Sequence, residues 1–206
     1  MQKGKNNDIE KALFHLKKDK DFAKLIKEFP VPVLRQSKKY FSALVRSIIY
    51  QQLSGKSAQS IERKFLSLFP RKIVKESLVL ALKDEDFKKS GISPQKMKYL
   101  RDLALKFTDG TVNPKGFHKM TDVDITNHLV SVKGVGVWTT HMFLMFTLNR
   151  LDVLPTGDLG IQKGFKIVYK MKKLPDEKKM TKLAEAWKPF RTIACMYLWK
   201  VADRHK

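Results

Sequence analysis

The sequence is poor in the residues that build several common kinds of site, and each deficit excludes a class of protein. One cysteine, Cys195, stands in 206 residues. That excludes a disulfide framework, a zinc site built on paired thiolates and a four-cysteine iron–sulfur cluster. Cys195 lies in the apolar run Ile193-Ala-Cys-Met-Tyr-Leu198, which suits a buried structural thiol and favours a reducing compartment. His15, His118, His128, His141 and His205 show no metal-ligand spacing. No apolar run reaches membrane-spanning length, and the polar start, Met1-Gln-Lys-Gly-Lys-Asn-Asn-Asp8, lacks the apolar core of a signal peptide. A soluble intracellular protein is expected.

Basic residues are what the chain has in excess. Lys and Arg number 42 against 20 Asp and Glu, a formal net charge of +22. That goes well past what solubility requires and points to a polyanionic partner held by salt-sensitive contacts. Individual runs such as Lys17-Lys18, Lys88-Lys89 and Lys178-Lys179 read as solvated helix faces. The dominant period is helical. Phe41, Leu44, Val45, Ile48, Ile49 and Leu53 follow the i, i+3, i+4, i+7 rule, and Ile61, Phe65, Leu68 and Phe69 repeat it before Pro70. Ser93-Pro94 supplies an N-cap hydroxyl and a first-turn proline for a helix through Met97, Leu100, Leu103, Leu105 and Phe107. No convincing alternating strand is present. The pattern predicts an all-α protein with two helical lobes, residues 1–40 with 151–206 and residues 41–150.

Two local features carry chemistry. Lys133-Gly134-Val135-Gly136 falls between apolar segments 125–132 and 137–148, the pattern of a tight turn joining two helices. Glycine admits positive φ and leaves its N–H uncovered, and a helix starting near Val137 directs unsatisfied N–H groups outward, where an anion binds. From these residues alone an ordinary αα-hairpin fits as well as a phosphate site. Asp158, in Leu154-Pro-Thr-Gly-Asp-Leu-Gly160, stands where the N-cap of a helix from Leu159 belongs. The same position also suits a carboxylate that faces a bound nucleotide.

Longer segments narrow these alternatives. They are Phe41-Ser-Ala-Leu-Val-Arg-Ser-Ile-Ile-Tyr-Gln-Gln-Leu-Ser-Gly-Lys-Ser-Ala58, Gly91-Ile-Ser-Pro-Gln-Lys-Met-Lys-Tyr-Leu-Arg-Asp-Leu-Ala104, Asp152-Val-Leu-Pro-Thr-Gly-Asp-Leu-Gly160 and Trp187-Lys-Pro-Phe-Arg-Thr-Ile-Ala194. With the hairpin at about 125–148, their order from residue 38 to 203 resembles the helix-hairpin-helix DNA glycosylases, most nearly the AlkA type, DNA-3-methyladenine glycosylase II, in a short form without an N-terminal β domain. The resemblance implies a two-lobed fold with the active-site cleft between lobes, and a monofunctional enzyme of base excision repair. Its partner would be double-stranded DNA carrying alkylated bases such as 3-methyladenine and 7-methylguanine.

The resemblance also distributes roles. Asp158 matches the catalytic carboxylate, Leu53 the wedge that fills the gap left by an extruded nucleotide, and Gln52 a neighbour of that gap. Trp138 matches a pocket aromatic, with Tyr50 and Trp187 as further candidates to hold a cationic base. Met142 and Leu159 stand where some relatives carry more aromatics. Lys133, Gly134, Gly136 and the amide of Trp138 would grip a phosphate, with Lys96 adding charge. Lys133 replaces the proline common in this turn. Lyases of the superfamily place a Schiff-base lysine where this chain has Trp138, so no strand cleavage is expected. No cofactor is required, and a Na+ or K+ ion would be held by the main-chain carbonyls of Val130, Val132 and Val135. A monomer is expected, cytoplasmic or nucleoid-associated in a bacterium and nuclear in a eukaryote. A non-catalytic helix-hairpin-helix DNA-binding module is the alternative. It explains charge, hairpin and wedge, and gives no reason for the carboxylate.

Overall fold

The computed structural model describes the backbone of residues 2–34 and 37–205, and side chains from residue 7 onward. Among these the regular structure is helical, with no strand: α1 (Gln2–Leu16), α2 (Lys20–Glu28), α3 (Tyr40–Tyr50), α4 (Gly55–Leu66), α5 (Glu76–Ala81), α6 (Asp84–Ser90), α7 (Pro94–Thr108), α8 (Asp122–Val130), α9 (Val137–Phe146), α10 (Leu159–Val168), α11 (Glu177–Ala184) and α12 (Arg191–Arg204). The all-α expectation holds. Among the described residues no helix is long and apolar enough to cross a membrane. The chain divides into two compact units, Met1–Gln36 with Leu144–Lys206, and Ser37–Phe143. These bounds fall a few residues before those read from the sequence, and the second lies within α9.

In the unit 37–143, the helical stripe of α3 does what its spacing predicts: Phe41, Leu44, Val45, Ile48 and Ile49 are all buried. Leu53 shares that period, yet α3 stops at Tyr50 and Leu53 stands on the following loop, 39% exposed. Phe65 and Phe69 sit edge to face at 5.1 Å, and Phe65 reaches Phe87 at 5.8 Å. Ser93 caps α7 by accepting the Lys96 N–H, with Pro94 in the first turn.

The other unit is organised around α10 and α12. They approach closely at Gly164, where a Cβ would lie 2.7 Å from both the Cβ and the carbonyl oxygen of Leu198. Gly164→Ala therefore forces two helices apart. Overpacking of this kind costs about 1–3 kcal/mol, against about 1 kcal/mol that alanine gains over glycine inside a helix. A net fall in melting temperature is expected in calorimetry. Beneath the same helices Trp187 stacks on Phe165 at 5.0 Å and meets Phe22 edge-on at 4.8 Å, with no exposed surface. Cys195 is buried on α12, and burial first, then the charge of Asp158, pushes its thiol far above the usual range.

Candidate active site

Asp158 is the N-cap of α10, with extended backbone (φ −83°, ψ 119°), and its Oδ1 accepts the Ile161 N–H at 2.8 Å. The cap read from the sequence is therefore real. The indole Nε1–H of Trp199 donates to the same oxygen at 2.8 Å. Two N–H donors thus fix one carboxylate oxygen of a half-buried aspartate. Trp199 lies against α10 because residue 160 is glycine: a Cβ there would come within 2.7 Å of the indole and 3.0 Å of Asp158 Oδ1.

The segment leading to Asp158 is pinned to the same helix. Arg191, at the start of α12, donates from Nε to Asp152 Oδ1 at 2.6 Å, and from Nη2 to Asp152 Oδ2 at 3.0 Å and to its carbonyl at 3.1 Å. The Thr192 hydroxyl donates to the Arg150 carbonyl at 2.7 Å and accepts the Val153 N–H at 3.1 Å. Within the loop, Gln162 Nε2 donates to the Thr156 carbonyl at 3.0 Å. One helix therefore holds the aspartate loop at both ends, through Arg191 and Thr192 at its entry and Trp199 at its exit. The sequence reading missed Trp199. Its signal was spacing, since it follows Arg191 by about two helical turns.

Trp187 does not belong to this site. It was read as a base-pocket residue from its motif position, and the structure corrects that: a fully buried ring between Phe165 and Phe22 has no face left for a ligand. Beside Asp158 the half-buried ring of Trp199 lies 5.7 Å from that of Phe146, which is 44% exposed.

The unit 37–143 carries the hairpin. Gly134 has φ +80°, and a Cβ on it would fall 2.2 Å from the Tyr99 ring, so its glycine is required twice over. The Val135 N–H closes the turn on the Val132 carbonyl at 3.0 Å, and Asp102 Oδ2 takes the Lys133 N–H at 2.8 Å. Gly136 differs, because a Cβ there would meet nothing within 4 Å. Beyond it α9 begins at Val137, with the Thr140 N–H donating to the Gly136 carbonyl at 3.0 Å.

Next to the hairpin is a cavity of about 600 Å³, lined by Tyr50, Gln52, Leu53, Lys96, Gly134, Gly136 and Trp138 among others. The predicted wedge, hairpin and tryptophan therefore share one concavity, with Trp138 46% exposed. Gln52 has φ +55°, an uncommon conformation for a residue with a side chain and one that concentrates at functional loops.

Tyr50 and Lys96 are placed less simply. The Tyr50 hydroxyl donates to Glu62 Oε2 at 2.7 Å, while the Arg46 guanidinium sits 4.2 Å from its ring centre and itself holds both Glu62 oxygens. Burial, then the Glu62 hydrogen bond and charge, push the phenol up. One ring face is already occupied by a cation, so Tyr50 is a poor platform for a cationic base. Lys96, read as a phosphate contact, donates instead to the carbonyls of Ile49 at 2.7 Å and Gln51 at 2.9 Å. Its charge is directed to the C-terminus of α3, and desolvation lowers its pKa. Among the described residues no group of His, Cys, Asp or Glu side chains is arranged to hold a metal ion.

Comparison with known proteins follows the same lines. The family model for the HhH-GPD superfamily base excision DNA repair proteins matches residues 45–189. The chain is 32% identical to a DNA-3-methyladenine glycosylase of Saccharomyces cerevisiae, over 93% of this chain and 76% of that protein. Its fold is similar to that of the 3-methyladenine DNA glycosylase Mag1 of Schizosaccharomyces pombe, solved in complex with abasic DNA. The TM-score is 0.84 at 30% identity, covering 94% of this chain and 97% of that one. A DNA-3-methyladenine glycosidase of Bacillus halodurans aligns with a TM-score of 0.82 at 33% identity, over 91% and 87% of the two chains.

Proposed function

The chain belongs to the HhH-GPD superfamily of base excision DNA repair proteins, and from that membership we propose that it is a monofunctional DNA glycosylase. It extrudes alkylated purines, 3-methyladenine and 7-methylguanine, from duplex DNA and hydrolyses their N-glycosidic bond. The observation that carries this reading is Asp158, a helix cap whose Oδ1 receives a second N–H from Trp199. Capping alone needs only the Ile161 amide. A carboxylate further fixed by an indole suits charge stabilisation at a reacting centre.

Each step then has a chemical reason. The phosphate beside the lesion is gripped by the hairpin at Gly134, Gly136 and the Trp138 amide, with Lys133 adding charge. Leu53 fills the space the nucleotide leaves, with Gln52 beside it. Trp138 offers its exposed ring to the cationic base, which it attracts more strongly than the neutral one. The bond from C1′ to the base breaks with both electrons going to the base, which leaves uncharged. Ionised Asp158 stabilises the oxocarbenium-like sugar until water adds at C1′ and releases a proton. The carbonyls of Val130, Val132 and Val135 are the candidates for a Na+ or K+ ion supporting the turn. The enzyme acts as a monomer on alkylated duplex DNA.

Chromatography of alkylated duplex DNA after incubation with the protein should show free 3-methyladenine and 7-methylguanine, with intact abasic strands. Borohydride should trap no adduct on abasic DNA, because Trp138 offers no amine. Tight duplex binding without base release would instead identify the non-catalytic module.

A further inference from the structure

We propose that Lys96 and Gln51 are positioning residues that lock the wedge loop to the phosphate-gripping hairpin, so that seating the backbone and driving Leu53 into the base stack are one event. This rests on the reading of Leu53 as the wedge.

The argument starts at the end of α3. Its last carbonyls have no intrahelical donors and carry the negative end of the helix dipole. Lys96 Nζ donates to two carbonyls there, those of Ile49 and Gln51, at 2.7 and 2.9 Å. A half-buried ammonium thus fixes the point where the wedge loop leaves the helix. The loop then turns through Gln52 at φ +55°, which leaves Leu53 exposed.

The second tie runs sideways. Gln51 Nε2 donates to the Gly134 carbonyl at 2.7 Å. That carbonyl belongs to the residue whose positive φ makes the hairpin turn. The residue preceding the wedge and its neighbour Gln52 is therefore bonded directly to the phosphate grip, and any shift of one is felt by the other.

Helix α7 holds both ends of this connection. Lys96 takes the wedge loop, Tyr99 lies beneath Gly134, Asp102 accepts the Lys133 N–H, and Lys106 donates to the Ser131 carbonyl. Spacings of i, i+3, i+6 and i+10 put the four on one face of α7, over about 15 Å of helix. A set of residues that only supported the fold would have no reason to converge on the two loops assigned to DNA.

Gln51→Met keeps side-chain length, Lys96→Met shortens it by one atom, and both remove the donors; either alone tests the proposal if the other fails to fold. The readouts are affinity for undamaged duplex, fluorescence of 2-aminopurine beside a lesion as a report of extrusion, and single-turnover base release. Affinity for undamaged duplex should stay within about threefold, while extrusion and release fall about tenfold. In a Leu53→Ala background the same substitutions should have almost no further effect on extrusion. Equal losses with and without Leu53, or loss of duplex affinity matching the loss of extrusion, would overturn the coupling. If the wild-type protein releases no base, the glycosylase reading fails, yet fluorescence still reports whether wedge and hairpin are coupled.

Discussion

Asp158→Asn should lower single-turnover release of 3-methyladenine by about a thousandfold while leaving the fold intact. The two halves of that result separate chemistry from capping. Asparagine is as good an N-cap as aspartate, and its Oδ1 accepts the Ile161 and Trp199 N–H groups as the carboxylate does, so melting should move by no more than about 0.5 kcal/mol. On the proposed mechanism, what is lost is the negative charge that stabilises the developing cation at C1′. Affinity for alkylated duplex should be unchanged or tighter, because the charge removed repels the phosphate backbone. Asp158→Ala removes cap and charge together, and should add about 1 kcal/mol of destabilisation to the same loss of rate. Undiminished release by the asparagine variant would leave Asp158 as a cap only.

Gly134→Ala should be among the most destabilising single-methyl additions in the chain. A side chain at φ +80° costs about 1–2 kcal/mol, and overlap with the Tyr99 ring, 2.2 Å from the new carbon, adds about 1–3 kcal/mol. For a chain of this size the melting temperature should fall by roughly 5–15 °C. Tyr99→Leu in the same chain should recover part of the loss, the overlap, and leave the backbone strain. Gly136→Ala is the matched control. Among the described residues nothing meets its added methyl, so stability should hold, while affinity for duplex should fall about tenfold because the methyl lies where the proposed hairpin grip would meet a phosphate. Equal stability of the two alanine variants would contradict the packing beneath the hairpin.

What the sequence disclosed follows the range of the interactions involved. The helices of the core, the Ser93 and Asp158 caps and the hairpin glycines are set within a few residues, and period and capping chemistry revealed them. Trp187 and Lys96 were misjudged because their partners are remote. Nothing near Trp187 in the chain announces that Phe22 will close over its ring. A lysine in a basic, DNA-binding motif suggests a phosphate, whereas the carbonyls that hold Lys96 lie over forty positions earlier. Trp199 was overlooked for the converse reason. The earlier tryptophan of α12's motif attracted the role, and only the packing of α12 on α10 brings the later one to Asp158.

Agents that methylate purines also methylate thiolates, and an exposed low-pKa cysteine would be consumed by the chemistry whose products the proposed reaction removes. Here the one thiol is sealed within α12 and held protonated by burial and by the charge of Asp158. Of its soft nucleophiles, the molecule keeps its thiol out of reach of the electrophiles that would create its proposed substrates.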